Sequence, residues 1–486
     1  MIEFKPCKNQ ETTAIANGFM LHSSYNPSRE AERYVENLSI LPYEDTIILL
    51  EPAISYCLVF LRKKYPDNKI GVIRFSDAFE EFNKGFDFVI NHFDINNNLD
   101  EILFNKLGEE RLFSVHFAEW EASKNAFPEL YQSAVIKIKE SLEKAKTLLV
   151  TREYFEKKWF LNSLSFIKYI NKKAVIQDKI KKDVLILASG PSIHTSIEII
   201  KNNQEKFFII CLSSALPVCK YYGIRIDLCI STDGGFWAGQ HLKHIAKDTI
   251  LALSPESFVS KKTLEENPIL PLAYPDGISK KILDLCNFTN TFEAERNGTV
   301  SGSAAKFALK YFTGNIYFFG LDLANSKGFQ HEQPNEIETN NSLFDFKINS
   351  KEKRSYKSEM SEGSLKIYRQ WFENNSFENR VFRVIDSKNK KLGSIKDIKS
   401  SEFKQICMKI QQSSTTNDII MFEENRACIK KLTNNKEQLF NSENLKQLFP
   451  LTSLSLKHSP ENSDLQKRLL DEKNKLLKKL EDYCNE

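Results

Sequence analysis

The sequence predicts an α/β fold, with a central Rossmann-like, mostly parallel sheet flanked by helices, an N-terminal α/β domain before it and a C-terminal helical region after it. Three observations carry that expectation. Short, near-continuous apolar runs recur at residues 183–188, 207–212, 228–233, 249–253 and 316–320, the pattern of strands buried on both faces. Stretches with apolar residues at helical spacing separate these runs. Several runs end in small or acidic residues, such as Ser189-Gly190-Pro191-Ser192 and Gly320-Leu321-Asp322, where a strand would turn into the next connection.

The elements follow in order. In the N-terminal domain, placed at 1–150, residues 46–50, 69–75 and 86–90 read as strands and a helical pattern runs through Leu58 and Leu61. From 129 to 170 apolar residues recur at helical spacing among Lys and Glu, which predicts long helices leading out of this domain. The central domain, placed at 151–400, opens with the strand 183–188, its turn and a helix over 193–202. It continues with a helix through Val218, a helix over 303–311 before the strand 316–320, and a strand at 381–385. Residues 335–362 are rich in Asn, Lys, Glu and Ser and predict a mobile loop or lid. Residues 401–486 read as a separate helical domain, in which Leu465, Leu469, Leu476 and Leu480 form an apolar seam.

Composition excludes several functions. The 68 basic and 64 acidic residues leave a net charge of +4 spread along the chain, with no concentrated field for nucleic acid. No run reaches the roughly 18 apolar residues of a spanning helix, and the N-terminus lacks an export signal. The nine cysteines show no CxxC pair and read as reduced thiols. These features predict a cytoplasmic protein that neither binds nucleic acid nor inserts into a membrane.

Residues able to carry chemistry sit at the predicted carboxyl ends of strands, where open parallel sheets place ligands. Gly190 lets the backbone approach a ligand, and the amides of Ser189 to Ser192 at a helix start suit an anion such as a nucleotide phosphate. An ordinary strand-to-helix turn with Ser192 as N-cap accounts for the same residues. Thr232 and Asp233 precede two glycines, so Asp233 could bind a hydroxyl or a cation, or close an Asx turn. Thr299, Ser301, Gly302 and Ser303 form a second small-residue turn before a helix. Asp322 and Gly320 end the 316–320 run, and His331 stands nine residues beyond Asp322, with an imidazole suited to taking a proton near neutral pH. His241 and His244, three apart, have no evident carboxylate partner and read as solvated helix-face residues rather than metal ligands.

These motifs, together with Leu365-Lys366-Ile367-Tyr368-Arg369-Gln370-Trp371 and Lys391-Leu392-Gly393-Ser394-Ile395, resemble the motility accessory factor (Maf) family of flagellin glycosyltransferases over about residues 180–400. Their order is also similar to that of bacterial sialyltransferases and of hydroxymethylpterin pyrophosphokinases. The resemblance implies inverting transfer of a nonulosonic acid, of the pseudaminic, legionaminic or sialic type, from a CMP-sugar donor to Ser or Thr of flagellin. It implies a role in flagellum assembly and motility. In that reading His331 and Asp322 are catalytic, the turns at Ser189–Ser192, Thr232–Asp233 and Thr299–Ser303 with Gly320 hold the nucleotide-sugar, no cofactor is required, and Mg²⁺ is optional. The alternatives are an ATP- and Mg²⁺-dependent pyrophosphokinase, with Asp233 and Asp322 on the metal, and a non-catalytic flagellin-binding chaperone.

Overall fold

The computed structural model describes residues 2–275, 277–288, 291–296, 298–324, 329–348, 350, 353, 363–386, 389–410, 420–424 and 429–485. The chain forms two compact units, Met1–Tyr154 with Phe449–Asp471, and Phe155–Leu448 with Glu472–Glu486.

The first unit begins with a small antiparallel sheet of β1 (Ile2–Pro6), β2 (Thr12–Ala16) and β3 (Phe19–Met20), which the sequence pattern did not reveal. Its main sheet is parallel and comprises β4 (Thr46–Leu50), β5 (Lys69–Ile73), β6 (Phe88–Ile90) and β7 (Val115–Glu119) in the order β6-β5-β4-β7. Successive strand side chains alternate between faces, and the packing follows that period. Ile47 and Leu49 meet Ala31 and Val35 of helix Pro27–Asn37 and Leu58 and Leu61 of helix Cys57–Lys64. Ile48 and Leu50 meet Leu99 and Leu103 of helix Leu99–Arg111 and Ala134 and Ile138 of helix Pro128–Tyr169. The helices expected over 129–170 are thus one 42-residue helix.

The second unit is built on an eleven-stranded sheet. Its strands are β8 (Lys172–Ile176), β9 (Val184–Leu187), β10 (Phe208–Leu212), β11 (Leu228–Ser231), β12 (Ile250–Leu253), β13 (Ile269–Ala273), β14 (Phe292–Glu293), β15 (Ile316–Phe319), β16 (Val381–Val384), β17 (Lys396–Ile398) and β18 (Ile420–Glu424). The order is β17-β16-β15-β9-β10-β11-β12-β13-β8-β18, with β14 beside β13 and β18 the antiparallel member. From β9 the chain steps outward through β10 to β13, then returns to the other side of β9 and steps outward again through β15 to β17. The strand order therefore reverses between β9 and β15, and in such sheets the crevice beyond the carboxyl ends at the reversal accepts ligands. Val184, Ile186, Phe208 and Ile210 pack on Ala304, Ala305 and Phe307 of helix Val300–Tyr311, in a core without exposed members.

Three expectations are corrected. No separate helical domain spans 401–486: residues 401–448 and 472–486 belong to the second unit and 449–471 to the first. The apolar seam explains this, because Leu476 and Leu480 are buried and the Tyr483 hydroxyl lies 2.8 Å from the Ser165 hydroxyl of the long helix. The polar segment from 335 begins not as a loop but as helix Glu336–Ser342, with Asn335 as N-cap accepting from the Ile337 amide at 3.0 Å; 349, 351–352 and 354–362 lie outside the described residues. The helix expected over 193–202 begins with a 3-10 turn, Pro191–Ser196, and becomes α-helical at Ile197–Asn203. No described helix is long and apolar enough to cross a membrane. The described cysteines are free thiols, and all but Cys484 are buried; Cys428 lies outside the described residues.

Candidate functional site

The strand-order reversal opens into a cavity of about 580 Å³ within the second unit, a size suited to a nucleotide-sized ligand. Its floor is the pair of turns that end β9 and β15. These turns press together: the Gly190 amide donates to the Gly320 carbonyl at 2.9 Å. A Cβ on Gly190 would lie 2.3 Å from the Gly320 oxygen, and one on Gly320 (φ +69°) would lie 2.3 Å from the Ala188 oxygen. Both positions need glycine because no side-chain atom fits between the two backbones.

This closeness alters the expected anion site. The Ser192 amide donates to Asp322 Oδ2 at 2.8 Å, the Gly190 amide is taken by Gly320, and Pro191 has no N–H. The Gly190 to Ser192 amides are therefore engaged inside the protein, and Asp322 occupies the place at the turn that a phosphate was expected to take. Nor is Ser192 an N-cap, since Gly190 holds that position and makes no side-chain cap bond. Asp322 is buried, with Oδ1 lacking a hydrogen-bond partner among the described residues. Burial pushes its carboxyl above the usual range, against the opposing pull of Ser192 and the Arg383 charge.

The second small-residue turn fares differently. Thr299 caps helix Val300–Tyr311, its side chain accepting from the Ser301 amide. Gly298, Thr299, Val300 and Ser301 line the cavity, whereas Gly302 and Ser303 are buried inside the helix and Pro191 and Ser192 lie off the lining. The first turn of this 12-residue helix therefore forms a wall with the positive end of its dipole. Beside it stands Arg296, a residue that sequence reading passed over. Its guanidinium lies over the rings of Tyr274 at 4.3 Å and Trp159 at 5.2 Å, and it forks onto the buried Glu256 carboxylate at 2.9 and 3.0 Å. Ser279 donates to the same carboxylate at 2.7 Å. A basic residue two before the Gly298 turn was the available signal.

Ser189, Thr232, Asp233, Gly320, Asp322 and His331 all line the cavity. Asp233 closes an Asx turn, Oδ1 accepting from the Gly235 amide at 2.8 Å, and is itself exposed. His331, just ahead of the segment expected to be a lid, is held firmly. Glu338 Oε1 accepts from the Gln330 and His331 amides at 2.7 and 3.0 Å, the Glu332 amide donates to the Ser189 carbonyl at 2.7 Å, and Asn335 Nδ2 donates to the Ser214 carbonyl at 3.1 Å. The His331 ring Nδ1 lies 2.7 Å from Ser189 Oγ, which lies 2.8 Å from Ser214 Oγ. Burial, then the neighbouring His241, pulls His331 down to about 4, so the ring is neutral at pH 7.

His241 and His244 do have a carboxylate partner, and only His244 keeps its ring about a third exposed. Both face one carboxylate: His241 Nδ1 lies 2.6 Å from Glu336 Oε2, and His244 Nε2 meets Glu336 Oε1. His241 is only 3 % exposed. Burial would raise the Glu336 carboxyl, but the hydrogen bond to His241, the local backbone and His244 outweigh it and bring it down to about 2. The sequence placed these partners 95 and 92 positions apart. Among the described residues, no three His, Cys, Asp or Glu side chains group as a metal site.

Comparison with known proteins agrees with this architecture. Residues 158–328 are similar to the family model described as 6-hydroxymethylpterin diphosphokinase MptE-like, a stretch that includes most of the residues lining the cavity. The chain is 29 % identical over 238 residues to an uncharacterized protein of Treponema pallidum (strain Nichols), covering 49 % of this chain and 52 % of that one; it thus spans about half the length of that relative. The whole fold is similar to that of a Maf glycosyltransferase from Magnetospirillum magneticum AMB-1, with a TM-score of 0.54 and 12 % identity, covering 100 % of this chain and 90 % of the other.

Proposed function

We propose that this chain is a glycosyltransferase that moves a nonulosonic acid from a CMP-sugar to Ser or Thr hydroxyls of flagellin. The observation that carries this reading is the composition of the cavity lining. It offers Arg296 and the Thr299-capped helix start to an anionic leaving group, and two imidazoles, His241 and His331, to an acceptor hydroxyl. Transfer from a CMP-sugar requires both, because phosphate charge grows as the glycosidic bond breaks while the incoming oxygen must lose a proton. The aromatic rings of Trp159, Tyr274 and Tyr368 on the lining suit the flat base and the sugar face. The Maf fold likeness supports the transferase class, and the first unit adds surface that a protein acceptor would need.

A second reading follows from the family model, a pyrophosphokinase using ATP and Mg²⁺ through Asp233 and Asp322. In this chain each of those carboxylates already has one oxygen on a backbone amide. Isothermal titration separates the two readings. The transferase reading expects CMP to bind without Mg²⁺ and more tightly than ATP. Mg²⁺-dependent binding that favours ATP would establish the kinase instead. Intact-mass spectrometry of flagellin from cells with and without this chain then checks the acceptor, with a nonulosonate-sized mass loss expected in its absence.

A further inference from the structure

We infer that His241, with Glu336 behind it as a positioning residue, is the proton acceptor for the incoming hydroxyl, and that His331 is not. This rests on the transferase reading above. The geometry begins with the carboxylate. Glu336 is ionised at neutral pH and an ionised carboxylate only accepts hydrogen bonds, so His241 Nδ1, 2.6 Å from Glu336 Oε2, must carry the ring proton. That fixes the tautomer and leaves the lone pair on Nε2. His241 lines the main cavity. Glu336 and His244 line a neighbouring groove of about 580 Å³, and Trp237 lines both. A carboxylate that holds the imidazole from behind, and stabilises it once protonated, is the arrangement by which a histidine becomes an effective base.

His331 lacks that support. Its Nδ1 is engaged by the Ser189 hydroxyl; Glu338 of helix Glu336–Ser342 binds its backbone amide rather than its ring, and the adjacent Glu332 carboxylate pairs with His194. Among the described residues, the titratable groups tied to His241 are His331, from the loop ahead of helix Glu336–Ser342, and Glu336 of that helix, whose other oxygen meets His244 beyond helix Phe236–Leu242. In the step itself, the acceptor O–H bond breaks and its proton goes to His241 Nε2. The oxygen electron pair forms the bond to the anomeric carbon. The bond from that carbon to the CMP phosphate oxygen breaks, and its electron pair leaves with CMP. The imidazolium, held by Glu336, later returns its proton to solvent.

The experiment measures CMP affinity by titration and transfer from CMP-N-acetylneuraminic acid to flagellin across pH, in the full chain and in His241→Asn, Glu336→Gln and His331→Asn. Expected are a loss of about 100-fold or more in kcat for His241→Asn, with CMP affinity within about threefold of wild type. Glu336→Gln should lose about tenfold, and the acid limb of its pH–rate profile should move to lower pH, since the imidazolium loses its counter-charge; a merely structural role would not move that limb. Full turnover in His241→Asn, or abolished turnover confined to His331→Asn, would overturn the inference while CMP binding upholds the transferase reading. A wild-type chain that neither binds CMP nor releases it from the sugar removes that reading and the inference with it.

Discussion

Each unit contains a parallel sheet whose strand order reverses, between β4 and β7 in the first and between β9 and β15 in the second, yet the two carboxyl edges have opposite characters. After β4 the chain turns inward. Glu51, Ala53 and Ser55 adopt positive φ values of 43°, 49° and 62°, and the buried Glu51 carboxylate collects the Arg74 guanidinium at 2.9 Å and the Ala53 and Phe75 amides at 3.1 and 2.6 Å. Arg74, also buried, donates as well to the Ala53 carbonyl at 2.8 Å, the Ser55 hydroxyl at 2.9 Å, Asn83 Oδ1 at 2.8 Å and the Phe82 carbonyl at 3.1 Å. That edge satisfies itself. After β9 and β15, by contrast, the floor turns bind each other but leave a cavity, an Asp322 oxygen without a partner among the described residues, and two imidazoles on its walls. Topology supplies the same crevice twice; the direction of the polar groups decides which one can take a ligand.

The strongest way to break this comparison is at the first edge. Arg74→Met leaves Glu51 buried without its counter-charge, which costs about 3–5 kcal/mol, and should lower the urea midpoint of the full chain while CMP affinity stays within about twofold. A wild-type urea midpoint would mean that the ion pair does not hold that edge shut.

The second edge has its own stability signature, which depends on pH. His331 titrates at about 4 in the folded chain and near ~6.5 when unfolded, so between those values the unfolded state binds more protons and stability rises with pH. The contribution is complete above about pH 6.5 and is lost as pH falls through 4, amounting to up to about 3 kcal/mol. Glu336, depressed to about 2, adds a loss at lower pH, below the ~4.3 of an unfolded Glu. His331→Asn should therefore flatten the melting temperature between pH 6.5 and 4 and spare the lower limb; an unchanged slope would show that the ring is solvated.

How much of this was legible in the sequence follows from the same physics. Strands β9 to β12 and β15 were readable because both faces are covered and nearly every residue along them is apolar; the equally buried β13 was not, because Pro271 interrupts its run. The edge strands β14 and β17 were not, since two or three residues with an exposed position carry no period. The cavity floor was readable because close backbone approach demands glycine at 190 and 320, and His331 because it follows Asp322 at short range. What escaped was the polar framework. Glu336 and Glu338 looked like lid residues because their partners, His241 and the 330–331 amides, are assigned by folding and leave no local pattern. The Asn335 N-cap before Glu336 and Glu338 was a helix-start signal outweighed by the polar composition around it.

Arg296 marks the finest difference between the two edges. Arg74 is sealed in the first, 2 % exposed, while Arg296 forks onto Glu256 with its side chain 35 % exposed on a cavity wall. A phosphate arriving beside it would share the guanidinium with Glu256 rather than displace a sealed pair. Arg296→Lys keeps the charge but removes the planar fork and the stacking between Trp159 and Tyr274. It should weaken CMP binding about tenfold, or about 1.4 kcal/mol, measured by titration, with the urea midpoint nearly unchanged because the exposed part of the pair contributes little to folding. Unaltered CMP affinity would make Arg296 a structural clamp for Glu256, the role that Arg74 plays for Glu51, and the second edge would then owe its anion affinity to the Thr299-capped helix alone.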